Sequence, residues 1–301
     1  MDNTKIVLQQ KNKLSWILAF PALFWLLFFF FIPYLIVLIY SFLTPTIYDI
    51  KFEFTLQAYR EIFEWRYIKS FLISLRLATI TTVLCLLLGY PVAYFIARSS
   101  DKLKNALLFL IIIPFWTNFI IRIFSWRIFL APEGTLNNIL ISLGIISEPL
   151  MILRTDLAVI LVMVYVYLPY MILPLYAGIE KIDFTLINAA MDLGANRWKS
   201  FLKVTLPLSK EGIYAGIILV FIPSLGMYVV PHLVGSQESL YIGQIIAYKI
   251  KDIPRNWPLA SALSFVMLLF VTILMVIIYK FHNRASKIKV DLNENIQKKE
   301  F

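Results

Sequence analysis

Residues 180–211 read EKIDFTLINAAMDLGANRWKSFLKVTLPLSKE, a polar stretch set between two apolar runs, Leu157–Ile179 and Ile213–Leu233. About 20 apolar residues cover the roughly 30 Å of a bilayer's hydrocarbon core, so the stretch connects two membrane spans. Its pattern is nevertheless helical. Asp183 is placed to cap a helix start, and Leu186, Ala189/Ala190 and Leu193 follow at i, i+3/i+4 and i+7 on one face. Gly194 supplies the left-handed residue that ends such a helix. Asn196 can cap a second helix, in which Trp198, Phe201, Leu202 and Thr205 repeat the spacing while Arg197, Lys199 and Lys203 lie elsewhere around it. Pro207 is expected to break it before the next span. Two short amphipathic helices at an angle suit a groove on another protein or a membrane surface, and periodicity alone does not choose between them.

Four more runs pass the same length test: Trp16–Phe42, Ile68–Ala97, Ala106–Leu130 and Leu259–Phe281. The expected fold is therefore all-α and polytopic, with six transmembrane helices. Composition agrees, since 60% of the 301 residues are hydrophobic and only 15% charged, against about 25% charged in a soluble chain; the mean hydropathy is +0.79. The first run is longer than the roughly 7–15 residues of a signal-peptide core and no small-x-small cleavage site follows it, so it is expected to remain as an anchor. The reading divides the chain into an N-terminal segment 1–15, a span region 16–281 containing the 180–211 loop, and a C-terminal tail 282–301.

The net charge of +10 reports orientation and not a nucleic-acid partner. Sorted by side, 17 Lys and Arg residues fall with both termini, the 98–105 loop and the 180–211 loop, and 10 fall opposite, leaving Arg76 inside the second span. The richer side is cytoplasmic by the positive-inside rule, which puts both termini and the 180–211 loop in the cytoplasm. Arg76 lies near the outer end of its span and is expected to snorkel.

Nothing in the chain reads as enzyme machinery. There is no Gly-rich phosphate loop, no His-Glu-x-x-His and no Cys-x-x-Cys, so no cofactor and no metal are expected. His232 and His282 read as interfacial or solvated, and the lone Cys85 as a buried thiol. The span centres carry no carboxylate, with Asp156 and Glu180 flanking the fourth span, which argues against a proton relay. Pro169, Pro174 and Pro223 bend their helices, and Gly212 with Gly216 forms a small-xxx-small pair for close helix approach.

Asn188-Ala189-Ala190, then Gly194, then Val204, Leu206 and Pro207 keep the spacing of the E-A-A-x3-G-x9-I-x-L-P loop, and on these residues the chain resembles the permease subunits of binding-protein-dependent ABC importers. Asn188 stands where that family usually has Glu, and Val204 where it has Ile. The stretches Pro114–Arg122, Leu175–Asp183, Gly226–Val230 and Arg255–Pro258 are similar to permeases of spermidine/putrescine importers of the B type. The resemblance implies a type I ABC importer permease in a bacterial plasma (inner) membrane. It also implies a second permease forming a heterodimer with this one, two copies of a cytoplasmic ATP-binding subunit, an extracytoplasmic substrate-binding protein, and surrounding lipid. ATPase coupling would fall to Asn188, Ala189, Ala190, Asp192, Leu193, Gly194, Ala195, Val204, Leu206 and Pro207. An extended polycation needs aromatic faces and carbonyls along its path; the candidates are Trp116, Asn118, Tyr165, Tyr167, Tyr170 and Tyr228.

Overall fold

The computed structural model describes residues 19–46, 50–236 and 240–297, the side chains of 279 and 281–297 excepted. The N-terminal segment 1–15 and the last four residues lie outside the described residues. The chain forms two compact units, one of residues up to Glu64 together with Tyr248–Leu269, the other of Trp65–Ala247 with Phe270 onward.

The smaller unit begins with α1, Ala19–Tyr40. Its phenylalanines stack at i, i+4, Phe20 on Phe24 at 6.1 Å and Phe24 on Phe28 at 5.9 Å, and they are exposed, as befits a helix whose solvent is lipid. Residues Leu27–Phe31 widen into a π-helical turn just before Pro33, whose ring has no N–H and crowds the carbonyl four residues back. After α1 the chain makes a short antiparallel hairpin, β1 Leu43–Pro45 with β2 Ile50–Phe54, and then α2, Gln57–Ile62. Alternation in Ile50-Lys51-Phe52-Glu53-Phe54 is the strand signal. Tyr59 anchors the hairpin base, sharing a 2.8 Å hydrogen bond with Ser41.

In the larger unit α3, Trp65–Arg98, packs along α7, Asp156–Glu180, and both against α10, Lys210–Leu225. Leu77, Thr81, Cys85, Gly89 and Ala93 form an i, i+4 stripe of buried, mostly small residues on α3, which lets Val162, Val166, Ile172 and Leu175 of α7 fill the seam. Cys85 is fully buried, as expected. Between α7 and α10 the backbones nearly touch. A Cβ on Gly212 would lie 2.5 Å from the Pro174 carbonyl oxygen, and one on Gly178 would lie 3.0 Å from Gly212. Gly212, the first residue of the small-xxx-small pair, is thus where the two helix backbones approach closely.

Two expected spans are not single rods. Four helices are long and apolar enough to cross a membrane, and two bent pairs bring the number to six if each pair is one span. In the third, α4 (Asp101–Ile112) ends in a 3-10 turn at Ile113–Trp116 and α5 (Phe119–Phe129) leaves at 92°. Asn118 explains the break: its side-chain oxygen accepts from the N–H groups of Ile120 at 2.8 Å and Ile121 at 3.4 Å, capping a new helix start. The expected fifth span, Ile213–Leu233, stops at Leu225; Gly226 turns the chain and α11, Val229–Val234, follows. Gly243 packs on the Gly226 carbonyl at a distance that leaves no room for a side chain, so the turn is held against the start of the helix that begins at Ile242.

The link between α5 and α7 carries α6, Thr135–Ser142, pinned by buried Asn137, whose amide donates to the carbonyls of Ala131, Pro132 and Leu150 and whose oxygen accepts from the Leu150 N–H at 2.8 Å. Past α11, α12 covers Ile242–Lys251 and α13 covers Trp257–Gln297. The C-terminal helix thus runs on beyond its apolar part. Arg76 does not simply snorkel. Its guanidinium meets Asp156 at 2.9 Å, and Asp156 also accepts from the Tyr241 hydroxyl at 2.9 Å. The pair ties α3, α7 and the loop after α11 together, and burial followed by the Asp156 hydrogen bond pushes the Tyr241 phenol up from its usual range.

Candidate functional site

The 180–211 stretch folds as two short helices, α8 (Thr185–Asp192) and α9 (Arg197–Leu208). Asp183 accepts from the Thr185 N–H at 3.0 Å, one residue before the structural cap at Phe184; that hydrogen bond holds its carboxyl below the usual range. Gly194 has φ +86° with nothing near its would-be Cβ, so its glycine is required by backbone conformation and not by space. Asn196 accepts from the Lys199 N–H at 2.8 Å, capping α9 as its spacing predicts.

The outward and inward faces of this pair divide the work. Leu186, Asn188, Ala189 and Asp192 are exposed, and Leu193 at the apex is 90% exposed. Ile187 turns inward and is buried. Ala195, Val204 and Leu206 are half-buried, and Pro207 is exposed. Pro207 does not break α9. The helix absorbs it by widening into a π turn over Phe201–Thr205, and the 66° bend to α10 comes at Ser209. Missing one N–H and crowding the preceding turn, a proline can be accommodated by such a widening.

The pair is fastened to α3. Trp198 stacks on Phe201 at 5.6 Å, Phe201 meets the edge of Tyr90 at 5.5 Å, and the Tyr90 hydroxyl shares a 2.8 Å hydrogen bond with Ser209 at the bend. Arg98 at the end of α3 lies over the Phe184 ring at 5.3 Å. A cavity of about 630 Å³, lined by Tyr94, Arg98, Ile187, Met191, Arg197 and Trp198, opens between these elements. Tyr90, Phe184 and Ser209 carry no sequence signal, because each acquires its anchoring contact only through a neighbour distant in the chain.

Lys104 of α4 meets Glu180 at the end of α7, 3.2 Å apart. The Glu180 carboxyl is held below its usual range, first by a hydrogen bond from Tyr176 and then by Lys104, while the Lys104 ammonium is raised, first by Glu180. The Glu180 contribution is therefore complete above the ordinary carboxylate range and is lost as pH falls through the lowered pKa; that of Lys104 is complete below the ordinary lysine range and is lost as pH rises through the raised one. Thermal midpoints in detergent should form a plateau at neutral pH. Their fall in acid should be shallower in Glu180→Gln; equal acid slopes in the two proteins would remove the ion pair from the account.

Six aromatic and amide candidates for a path fall in different settings. Trp116 is 73% exposed beside Phe109, Asn118 is spent on its helix cap, and Tyr167 is 5% exposed inside the bundle. Tyr170, more exposed, meets Phe115 at 4.9 Å, and Tyr228 stacks on His232 at 5.0 Å. Tyr165 lines a cavity with α5, of about 490 Å³, where Trp126 lies 5.3 Å from it. Pro169 is buried and Pro223 exposed.

In the larger unit, then, two apolar helix pairs are sharply bent and an exposed pair of short helices is fastened to the long α3. Residues 86–287 match the family of binding-protein-dependent transport system inner membrane components, and the chain belongs to that family. It is 41% identical over 97% of its length to the spermidine/putrescine transport system permease protein PotB of Haemophilus influenzae, covering 99% of that protein, and 42% identical over 89% of its length to PotB of Escherichia coli, covering 97% of it. The inner membrane ABC transporter permease protein YdcU of Escherichia coli is 32% identical over 73% of the chain and 74% of its own length. Among solved structures, a bacterial ABC transporter that imports the acidic polysaccharide alginate shares the fold with TM-score 0.69, 19% identity and coverage of 91% of this chain and 96% of that one. The same kind of transporter in complex with an alginate pentasaccharide-bound periplasmic protein gives TM-score 0.70 at 17% identity, with the same coverage. The chain is thus a multi-pass inner-membrane transport component.

Proposed function

We propose that this chain forms half of the translocation pathway of an ATP-driven importer for polyamines, spermidine or putrescine, and that α8 and α9 couple it to a cytoplasmic ATPase. The observation that carries the substrate class is the identity of 40% or more, over nearly the whole chain, to relatives named for spermidine/putrescine transport. Support for coupling comes from the apex: Leu193 stands free on a helix pair fastened through Phe201 and Tyr90 to α3, so force applied at the apex reaches a membrane span. In this reading 16–281 is the permease domain, the termini and the 180–211 loop face the cytoplasm, and an extracytoplasmic binding protein delivers solute. A second permease completes the pathway, and two ATP-binding subunits supply the energy. Asn188 offers a neutral amide to the ATPase where the family's usual Glu would offer a charge.

Reconstitution tests it. Vesicles holding this chain with the second permease, the ATPase and the binding protein should accumulate labelled spermidine only with ATP inside the ATPase compartment. Accumulation without the ATPase, or failure of spermidine and putrescine to compete with each other, would replace this reading by a self-contained carrier or by another solute.

A further inference from the structure

The cavity between α5 and α7 is lined by Thr117, Arg122, Ser125, Trp126, Phe129 and Tyr165, with a volume of about 490 Å³. On α5, Arg122, Ser125, Trp126 and Phe129 fall at i, i+3, i+4 and i+7, one stripe of the helix. Tyr165 is the tenth of the 25 residues of α7, so the cavity opens along the length of that helix and not at either of its ends. Arg122 is there without a counter-charge. Its Nε is buried and has no hydrogen-bond partner, its guanidinium lies 5.9 Å from the Phe119 ring, and no acidic group pairs with it among the described residues. A guanidinium among apolar side chains is stable only when a partner or water satisfies it. Beside it, Ile120, Ile121, Phe124 and Ile128 leave an exposed apolar face on α5, while Ile123 on the far side is fully buried.

We infer that this face of α5 is where the second permease packs, and that an aspartate or glutamate on a membrane helix of that subunit enters the cavity to pair with Arg122. Charge complementarity selects the occupant. A second copy of this chain has no carboxylate to offer from within a described span, because those spans hold acids only at or next to their ends: Asp101, Asp156, Glu180 and Glu211. A polycationic solute would be repelled by Arg122, so the guanidinium is paired with protein and kept from the solute. Trp126 and Tyr165 then close around the pair and exclude lipid and water, which strengthens it. The inference rests on the proposed two-permease assembly.

The test uses the complete transporter. The tagged chain is co-expressed with the second permease, the ATPase and the binding protein, and the second permease recovered with it in detergent is quantified together with spermidine uptake. Arg122→Lys should keep the pair; Arg122→Gln should lower recovery several-fold and Arg122→Glu by at least about tenfold, because two acids would then face each other. An acid-to-lysine exchange on the second permease should restore Arg122→Glu. Should Arg122→Glu fail to accumulate in the membrane, Arg122→Gln, which adds no new charge, carries the comparison. Wild-type recovery in both Arg122→Gln and Arg122→Glu overturns the inference. So does intact pairing with an altered KM for spermidine, which would put Arg122 in the solute path. If the unaltered chain captures no second permease, the assembly itself is wrong, and that outcome is distinct from the other two.

Discussion

Gly212→Ala is expected to lose about 2–3 kcal/mol of stability, against less than about 1 kcal/mol for Gly216→Ala four residues later on the same helix. The two glycines look equivalent in the sequence. Their surroundings are not: a methyl on Gly212 would meet the Pro174 carbonyl oxygen at 2.5 Å and the Leu175 Cα at 3.2 Å, both backbone of α7. One helix would have to move away from the other, opening the tightest seam of the larger unit. A methyl on Gly216 meets the Met171 sulfur at 2.6 Å, the far part of a flexible side chain that can swing aside. Thermal unfolding in detergent of both variants beside the unaltered chain measures the difference. A Gly216→Ala loss equal to that of Gly212→Ala would show that the seam is not set by backbone contact.

Leu193→Asp is expected to abolish solute uptake while leaving the fold intact. Leu193 is 90% exposed, so nothing inside this chain depends on its side chain. Burying a leucine in a partner's groove contributes about 2 kcal/mol, or roughly thirtyfold in affinity, and a buried unpaired carboxylate adds a further cost. ATPase recovered with the tagged chain should therefore fall by at least about thirtyfold, with an unchanged thermal midpoint for the isolated subunit. Normal ATPase recovery and normal uptake would move the docking site elsewhere. The anchoring aromatics behave differently, since loss of Phe201 would remove the contact between α9 and Tyr90 and unsettle the fold as well as the coupling.

The parts of the site that were legible in advance are those governed by local rules. Gly194 and Asn196 were readable because a left-handed turn and a helix cap depend on one residue and its immediate neighbours, and both take the expected geometry. Pro207 was misread for a physical reason: a proline removes one hydrogen bond, but whether the helix breaks or widens depends on the packing of the preceding turn, here Phe201 against α3. Nothing local to Arg76 announces its ion pair, because its partner Asp156 is 80 residues away in the chain. In the sequence Tyr165 and Tyr167 are equivalent aromatics of one span; two residues of helical rotation leave the first at a cavity and the second inside the bundle.

By itself the sequence determined that this protein lives in a membrane, how its apolar runs divide the chain, and that the 180–211 connection is a helix pair, because hydrophobic length and local capping are properties of short segments. Only the tertiary structure decided that the third expected span bends by 92° at Asn118, that Gly212 and not Gly216 sets the α7–α10 seam, and that Arg122 faces a cavity where no acid among the described residues meets it. Those features depend on which helix faces are brought together, and a linear pattern of apolar residues leaves helix rotation and partner choice open.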